Sequence, residues 1–86
     1  MEYTKHEQDL LNEWVMSQES ARIGRKTTVV CLTMKNGYEV IGLSACVNPE
    51  QYDEQIGIYW ATKDALNKLD PIIGYLMQEQ LFTGQE

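Results

Sequence analysis

Tyr59, Trp60 and Lys63 bring two large aromatic rings and a cation within about one helical turn of each other. A ring can stack on a nucleobase, and a cation beside it can meet a phosphate. Arg22, Arg25 and Lys26 form a second group, inside a stretch (residues 22–35) that also holds Lys35 and no acid. Such cations make charge-assisted hydrogen bonds to phosphate oxygens. The six residues together are the candidate ligand-binding set. Each group also has a plainer reading. Aromatic rings are enriched in protein interface cores, and a basic run is often a solvated loop that balances neighbouring acids.

Catalysis has less to work with. His6, the single histidine, lies in the first turn of an acidic segment and reads as a surface residue. Gly42-Leu43-Ser44-Ala45-Cys46 has the outline of a nucleophile elbow, but that device needs Gly-x-Ser-x-Gly at a strand-to-helix turn. Position 46 is Cys and the serine falls mid-strand. A reactive Cys31 or Cys46 would need a base or a helix N-terminus to hold its thiolate. Cys46 is the better placed, and a structural thiol is expected for both. Tyr52-Asp53 would lie in the first turns of a helix, where amides can hold anions. Glu50, Asp53 and Glu54 favour dipole compensation there instead. No metal-ligand spacing and no cofactor fingerprint is present. The expectation is a protein with no enzymatic activity, metal or cofactor.

The chain that must position these residues is 86 long, with a net charge of −6. That length makes one domain, residues 1–86, burying roughly 60 % of its unfolded surface. Domains this small usually need a staple. The acidic balance disfavours nucleic acid and anionic membrane as partners. No apolar run approaches the ~20 residues of a membrane span, and no signal peptide opens the chain. Unpaired thiols then point to a reducing cytosol.

Thr4 and Glu7 fit a capping box, and Leu10, Leu11, Trp14 and Val15 recur at helical spacing. A helix is expected over residues 1–21, with its end and a connection up to Lys26. Thr27 to Met34 is β-branched, Asn36-Gly37 is a hairpin turn, and Tyr38 to Val47 is the return strand. A two-residue turn pairs Thr33 with Val40, Cys31 with Gly42 and Val29 with Ser44. Val30, Leu32, Ile41, Leu43 and Ala45 then form the core face. Cys46 pairs with Thr27, ~13 Å from Cys31 at ~3.3 Å per residue, beyond the reach of a disulfide. Asn48-Pro49 opens a helix to Lys68 or Leu69, with Gly57, Ala61 and Ala65 as a small-residue ridge against the sheet. Asp70-Pro71 opens a last helix to Phe82, and residues 83–86 form a tail. The fold class is α+β: an N-terminal helix, a two-stranded antiparallel hairpin, and two helices packed on it. Both strands leave an open edge and one sheet face is only half polar, so a homo-oligomer is expected, pairing by edge or by face.

Cys31, Asn36-Gly37, Gly42 with Ser44-Ala45-Cys46-Val47, Pro49, Tyr52-Asp53, Gly57, Ala61, Ala65 and Gly74-Tyr75 form a specific combination. Over residues 27–82 it resembles a family of small tailed-phage proteins, catalogued after gene forty-nine of one podovirus and gene sixty-six of another. Members tend to be polar just before the first alanine, where this chain has Ile58-Tyr59-Trp60, a contact surface of its own. The resemblance implies a phage accessory protein made in the cytoplasm of the infected bacterium, and it carries over no catalytic residue.

The functional expectation is a non-enzymatic binding protein that counters host defence. In its sharpest form it is a homo-oligomeric sponge for a nucleotide-derived immune signal, held in pockets between subunits. The alternative is an adaptor that binds and redirects a host protein through the half-apolar sheet face or Ile58-Tyr59-Trp60.

Overall fold

In the computed structural model, which describes residues 2–84, the capping box forms as expected. Glu7 N–H donates to Thr4 Oγ1 at 3.1 Å and Thr4 N–H donates to Glu7 Oε1 at 2.8 Å. The helix it starts, α1 (Lys5–Glu13), buries Leu10. Leu11, Trp14 and Val15 pack against the same core. The helix stops well short of residue 21. The Trp14 carbonyl accepts from Lys35 N–H at 3.0 Å, and the chain continues as strand β1 (Val15–Ile23). Pairing decides this against local preference. Eight positions of β1 find partners on β2 (Thr27–Met34), with Met16 bulged out near the start.

The Asn-Gly hairpin joins β2 to β3 (Glu39–Ala45), and the sheet is a three-stranded antiparallel meander, β1-β2-β3. Its loop is three residues long rather than two. Met34 N–H donates to Tyr38 O at 2.7 Å and Gly37 N–H to Met34 O at 2.9 Å. Only Gly37 takes a positive φ, +91°, the left-handed residue that closes a three-residue loop. The register therefore moves by one: Leu32 faces Val40, Val30 faces Gly42, and Thr28 faces Ser44. One step turns every β3 side chain over. Val40 is buried, while Ile41 and Leu43, expected in the core, are 43 % and 51 % exposed; Ala45 is exposed too. Val30 and Leu32 are core as expected. The Cys46 N–H bonds Lys26 O, and both thiols are free.

Asn48-Pro49 opens only a 3-10 turn (Pro49–Gln51). Asp53 caps the helix proper, its Oδ1 accepting from Gln55 N–H and Ile56 N–H at 2.9 and 3.1 Å. That helix, α2 (Glu54–Gly84), runs unbroken through Pro71. The proline removes one N–H bond, but Leu69 before it and Ile73 after it are both buried. Packing across Pro71 thus merges the two expected helices into one. Thr83 and Gly84, expected in a tail, belong to α2; Gln85 and Glu86 lie outside the described residues.

The small-residue ridge behaves as its spacing predicts. A Cβ on Gly42 would run into the Ala61 carbonyl and come within 2.6 Å of Ala65 N, and one on Gly57 would strike Thr28. α2 thus lies directly on β3 and β2. The core between them is Val30, Leu32, Met34, Val40, Ala61, Ala65, Leu66, Leu69 and Ile73, with Leu10 from α1. The polar groups inside it are paired: Ser44 Oγ donates to Gly57 O at 2.7 Å, and Gln18 Nε2 to Thr62 Oγ1 at 2.9 Å.

Two backbone groups on the outer edge of β3 are covered by side chains of α2. Leu43 N–H donates to Asp64 Oδ2 at 2.9 Å, Lys68 Nζ donates to Ile41 O at 3.0 Å, and the two side chains pair at 3.1 Å. The Leu43 amide holds the Asp64 carboxyl below its ordinary range, with Lys68 adding to it. An ion pair on α2 thus stands in for a further strand at these two groups.

Candidate functional site

Because β1 is a strand, its alternation sets Gln18, Ser20 and Arg22 opposite Leu32, Val30 and Thr28, on the face that carries α2. Arg22 reaches past the end of the sheet. Its guanidinium lies 4.0 Å from the centre of the Tyr52 ring, a cation–π distance, and its Nη2 donates to the Arg25 carbonyl. The turn that follows needs Gly24 at φ +71° and leaves Arg25 and Lys26 exposed. Tyr52, between the 3-10 turn and α2, bonds Thr28 Oγ1 through its hydroxyl at 2.8 Å.

Two clefts flank that Tyr52–Thr28 contact. One, of about 130 Å³, is bounded by Lys26, Thr28, Ser44, Cys46, Tyr52 and Trp60. The other, of about 210 Å³, is bounded by Ser20, Arg22, Thr28, Tyr52, Glu54 and Ile58. Trp60 is 53 % exposed. Of the six expected site residues, Arg22, Lys26 and Trp60 therefore gather around Tyr52; Arg25 gives its carbonyl to Arg22, and its side chain lines neither cleft. Ion pairs among the described residues leave all three of these cations without a carboxylate.

Tyr59 and Lys63 are employed elsewhere. Tyr59 OH donates to Glu2 O at 2.9 Å, and its ring lies 5.1 Å from Tyr3 and 5.1 Å, edge-on, from Trp60. Lys63 Nζ bonds Glu7 Oε1 at 2.9 Å and lies 5.2 Å from the Tyr59 ring. The bond to Glu7 carries the Lys63 ammonium above its ordinary value. Burial pushes the Glu7 carboxyl up, but the bonds from Lys63 and Thr4 outweigh it and leave the group below its ordinary range. This cluster ties α1 to α2. His6 pairs with Asp70 at 3.0 Å on the surface. Cys46 Sγ donates to Asn48 O at 3.3 Å.

Tyr52 is the residue that sequence reasoning undervalued. Its place in an aromatic-Asp pair was visible; its role as the wall between two clefts depends on β1, which was read as helix. At the opposite end of the sheet an apolar groove of about 460 Å³ opens where α2 leaves the body. Trp14, Met34, Tyr38, Leu69, Ile72 and Leu76 line it, with Glu13 and Lys35 on its rim. No helix among the described residues is long and apolar enough to cross a membrane.

The chain is thus a helix-backed, three-stranded antiparallel sheet with an aromatic, cationic end and a separate apolar groove. By sequence the chain belongs to the phage protein family described as N4 Gp49/phage Sf6 gene 66, whose model matches residues 5–81. No curated protein and no solved structure matches it. The family match begins at α1, so α1, β1 and the Arg22–Lys26 segment all lie within it, not only residues 27–82.

Proposed function

We propose that this phage-family protein is a non-enzymatic, homo-oligomeric binder, acting in the cytoplasm of the infected bacterium. It counters host defence by sequestering a nucleotide-derived signal at the Tyr52 end. The observation that carries the reading is the convergence of Arg22 and Lys26, in no ion pair among the described residues, with the Tyr52 and Trp60 rings. Each cleft alone is smaller than the ~300–1,000 Å³ of a small-molecule site. Together they come to about 340 Å³, and the Tyr52–Thr28 hydrogen bond stands between them. A hydrogen bond of this kind contributes only about 1 kcal/mol net, so a ligand that displaces Tyr52 gains one continuous site. The base stacks on Tyr52 or Trp60. Each cleft has one cation and one carboxylate, Lys26 and Asp53 in the first and Arg22 and Glu54 in the second. Asp53 Oδ1 is taken up by the Gln55 and Ile56 amides, so the phosphates lie on the Lys26 side. The net charge of −6 discourages polymeric nucleic acid and leaves small anions as ligands.

Calorimetry of the full chain against cyclic dinucleotides and ADP-ribose derivatives tests this. Binding is expected, with the ligand recovered intact afterwards by chromatography. Silence across the panel ends the reading, and converted ligand makes the protein an enzyme.

The adaptor reading keeps one observation in its favour, since Ile23, Ile41 and Leu43 are exposed and the latter two lie on the uncovered sheet face. A stoichiometric host protein captured from lysate, insensitive to nucleotide and to Arg25→Ala/Lys26→Ala, supports it.

A further inference from the structure

Ile73, 7 % exposed, is the last covered residue of α2. Every described residue after it, 74–84, is exposed. The molecule is accordingly 57 Å long against 23 and 19 Å across, with the end of α2 as a projecting arm. That arm is not polar. Ile72, Tyr75, Leu76, Met77, Leu81 and Phe82 are each at least 39 % exposed. A single helix of this length is marginal in water on its own, and this stretch includes Gly74 and ends on Gly84.

At the root of the arm lies the apolar groove of about 460 Å³ between Trp14, Met34, Tyr38 and α2 itself. One chain thus offers both an uncovered apolar helix and an apolar groove beside it. A two-fold axis satisfies both at once, each arm lying in the other copy's groove, which is how an isologous dimer closes. We propose that the arm and groove of α2 are the seam between two copies of this chain.

The area is sufficient. Ile72, Tyr75, Leu76 and Phe82 share one side of the helix; at roughly 200 Å² for a fully open large side chain their exposures leave about 420 Å² per copy. Tyr38, 54 % exposed on the groove wall, brings this to about 530 Å². Two copies together then pass the ~1,000 Å² that a specific interface must clear. Charge does not oppose the arrangement: past Asp70, which pairs with His6, the described part of the arm carries one charge, Glu79, and the groove rim carries Lys35 beside Glu13. The sheet edge, one of the expected seams, is covered in part on the β3 side by Asp64 and Lys68.

This inference deepens the homo-oligomer part of the proposed function and rests on that part alone. The Tyr52 end lies at the other end of the sheet, so each copy keeps a complete ligand site.

Sedimentation equilibrium of the full chain tests it. The wild type is expected at twice the chain mass. Tyr75→Glu/Leu76→Glu is expected at the chain mass, losing at most the helical circular dichroism of the uncovered arm, because both residues lie outside the core. Ile41→Glu/Leu43→Glu, on the outer sheet face, is expected to remain dimeric. A dimer that survives the α2 pair, or one lost only with the sheet pair, overturns the seam while leaving self-association intact. A wild-type monomer overturns the seam and self-association together, and calorimetry on that monomer still reads the ligand site separately.

Discussion

Replacing Gly42 by alanine puts a methyl group where α2 already lies. The added Cβ meets the Ala61 carbonyl, stands 2.6 Å from Ala65 N and 2.8 Å from the Ala65 Cβ. These partners are helix backbone and a Cβ that cannot rotate away, so α2 must withdraw by more than about 1 Å to restore ordinary contact. A gap of that size forfeits about half or more of each dispersion contact along the seam. The contacts at stake are those of Ala61, Ala65, Leu66 and Leu69 with β2 and β3, all buried. Overpacking of this kind costs about 1–3 kcal/mol and sometimes more; the loss here belongs at the upper end, about 3 kcal/mol. A domain of this size has roughly 4–13 kcal/mol in total. Urea unfolding followed by circular dichroism reads the change. With a slope near 1–1.5 kcal/mol per molar, the midpoint should fall by about 2–3 M. An unchanged midpoint would mean that α2 does not sit on Gly42, and the register of β3 would be wrong with it.

Gly74→Ala is the converse, since a Cβ there meets nothing; removing a glycine from the helix interior should raise stability by about 0.5–1 kcal/mol, read in the same urea assay. Glu7 and Asp64 both titrate below their ordinary values of 4.5 and 3.8 in the folded chain. The stability they contribute is whole above those values and is lost as pH falls through the folded ones. The urea midpoint should therefore drop as pH falls below those ordinary values, and Glu7→Gln/Asp64→Asn should flatten that drop. Asp64→Ala should uncover the Leu43 amide and open the β3 edge, so concentration-dependent aggregation should rise in light scattering.

The hairpin was legible because Thr27 to Met34 is β-branched and apolar on alternate residues and is followed by Asn-Gly. Its register was not, because the dipeptide fits either a two-residue loop or the last positions of a three-residue one. That choice rests on the backbone at Asn36 and Gly37. β1 stayed hidden because Leu10, Leu11, Trp14 and Val15 keep helical spacing across the real boundary. The residues that follow, Met16 to Ala21, are mostly polar and pair only because β2 is there to receive them. Pro71 is a local stop signal, and the buried neighbours Leu69 and Ile73 that carry α2 through it are tertiary facts. The ridge of Gly57, Ala61 and Ala65 was legible because its reason is pure spacing. For the site, Arg22, Lys26 and Trp60 were named from chemistry alone and do converge. Tyr59 and Lys63 shared that chemistry, but Glu2, Tyr3 and Glu7 of the N-terminal segment occupy them, a contact that spans most of the chain.

Protein purified from infected cells mounting a nucleotide-signalled defence can be heat-denatured and the released small molecules weighed by mass spectrometry. Wild type should release an intact nucleotide in stoichiometric amount, and Arg25→Ala/Lys26→Ala should come out empty. A wild-type protein that releases no nucleotide from such cells, or a double variant that still carries it, contradicts capture at the Tyr52 end.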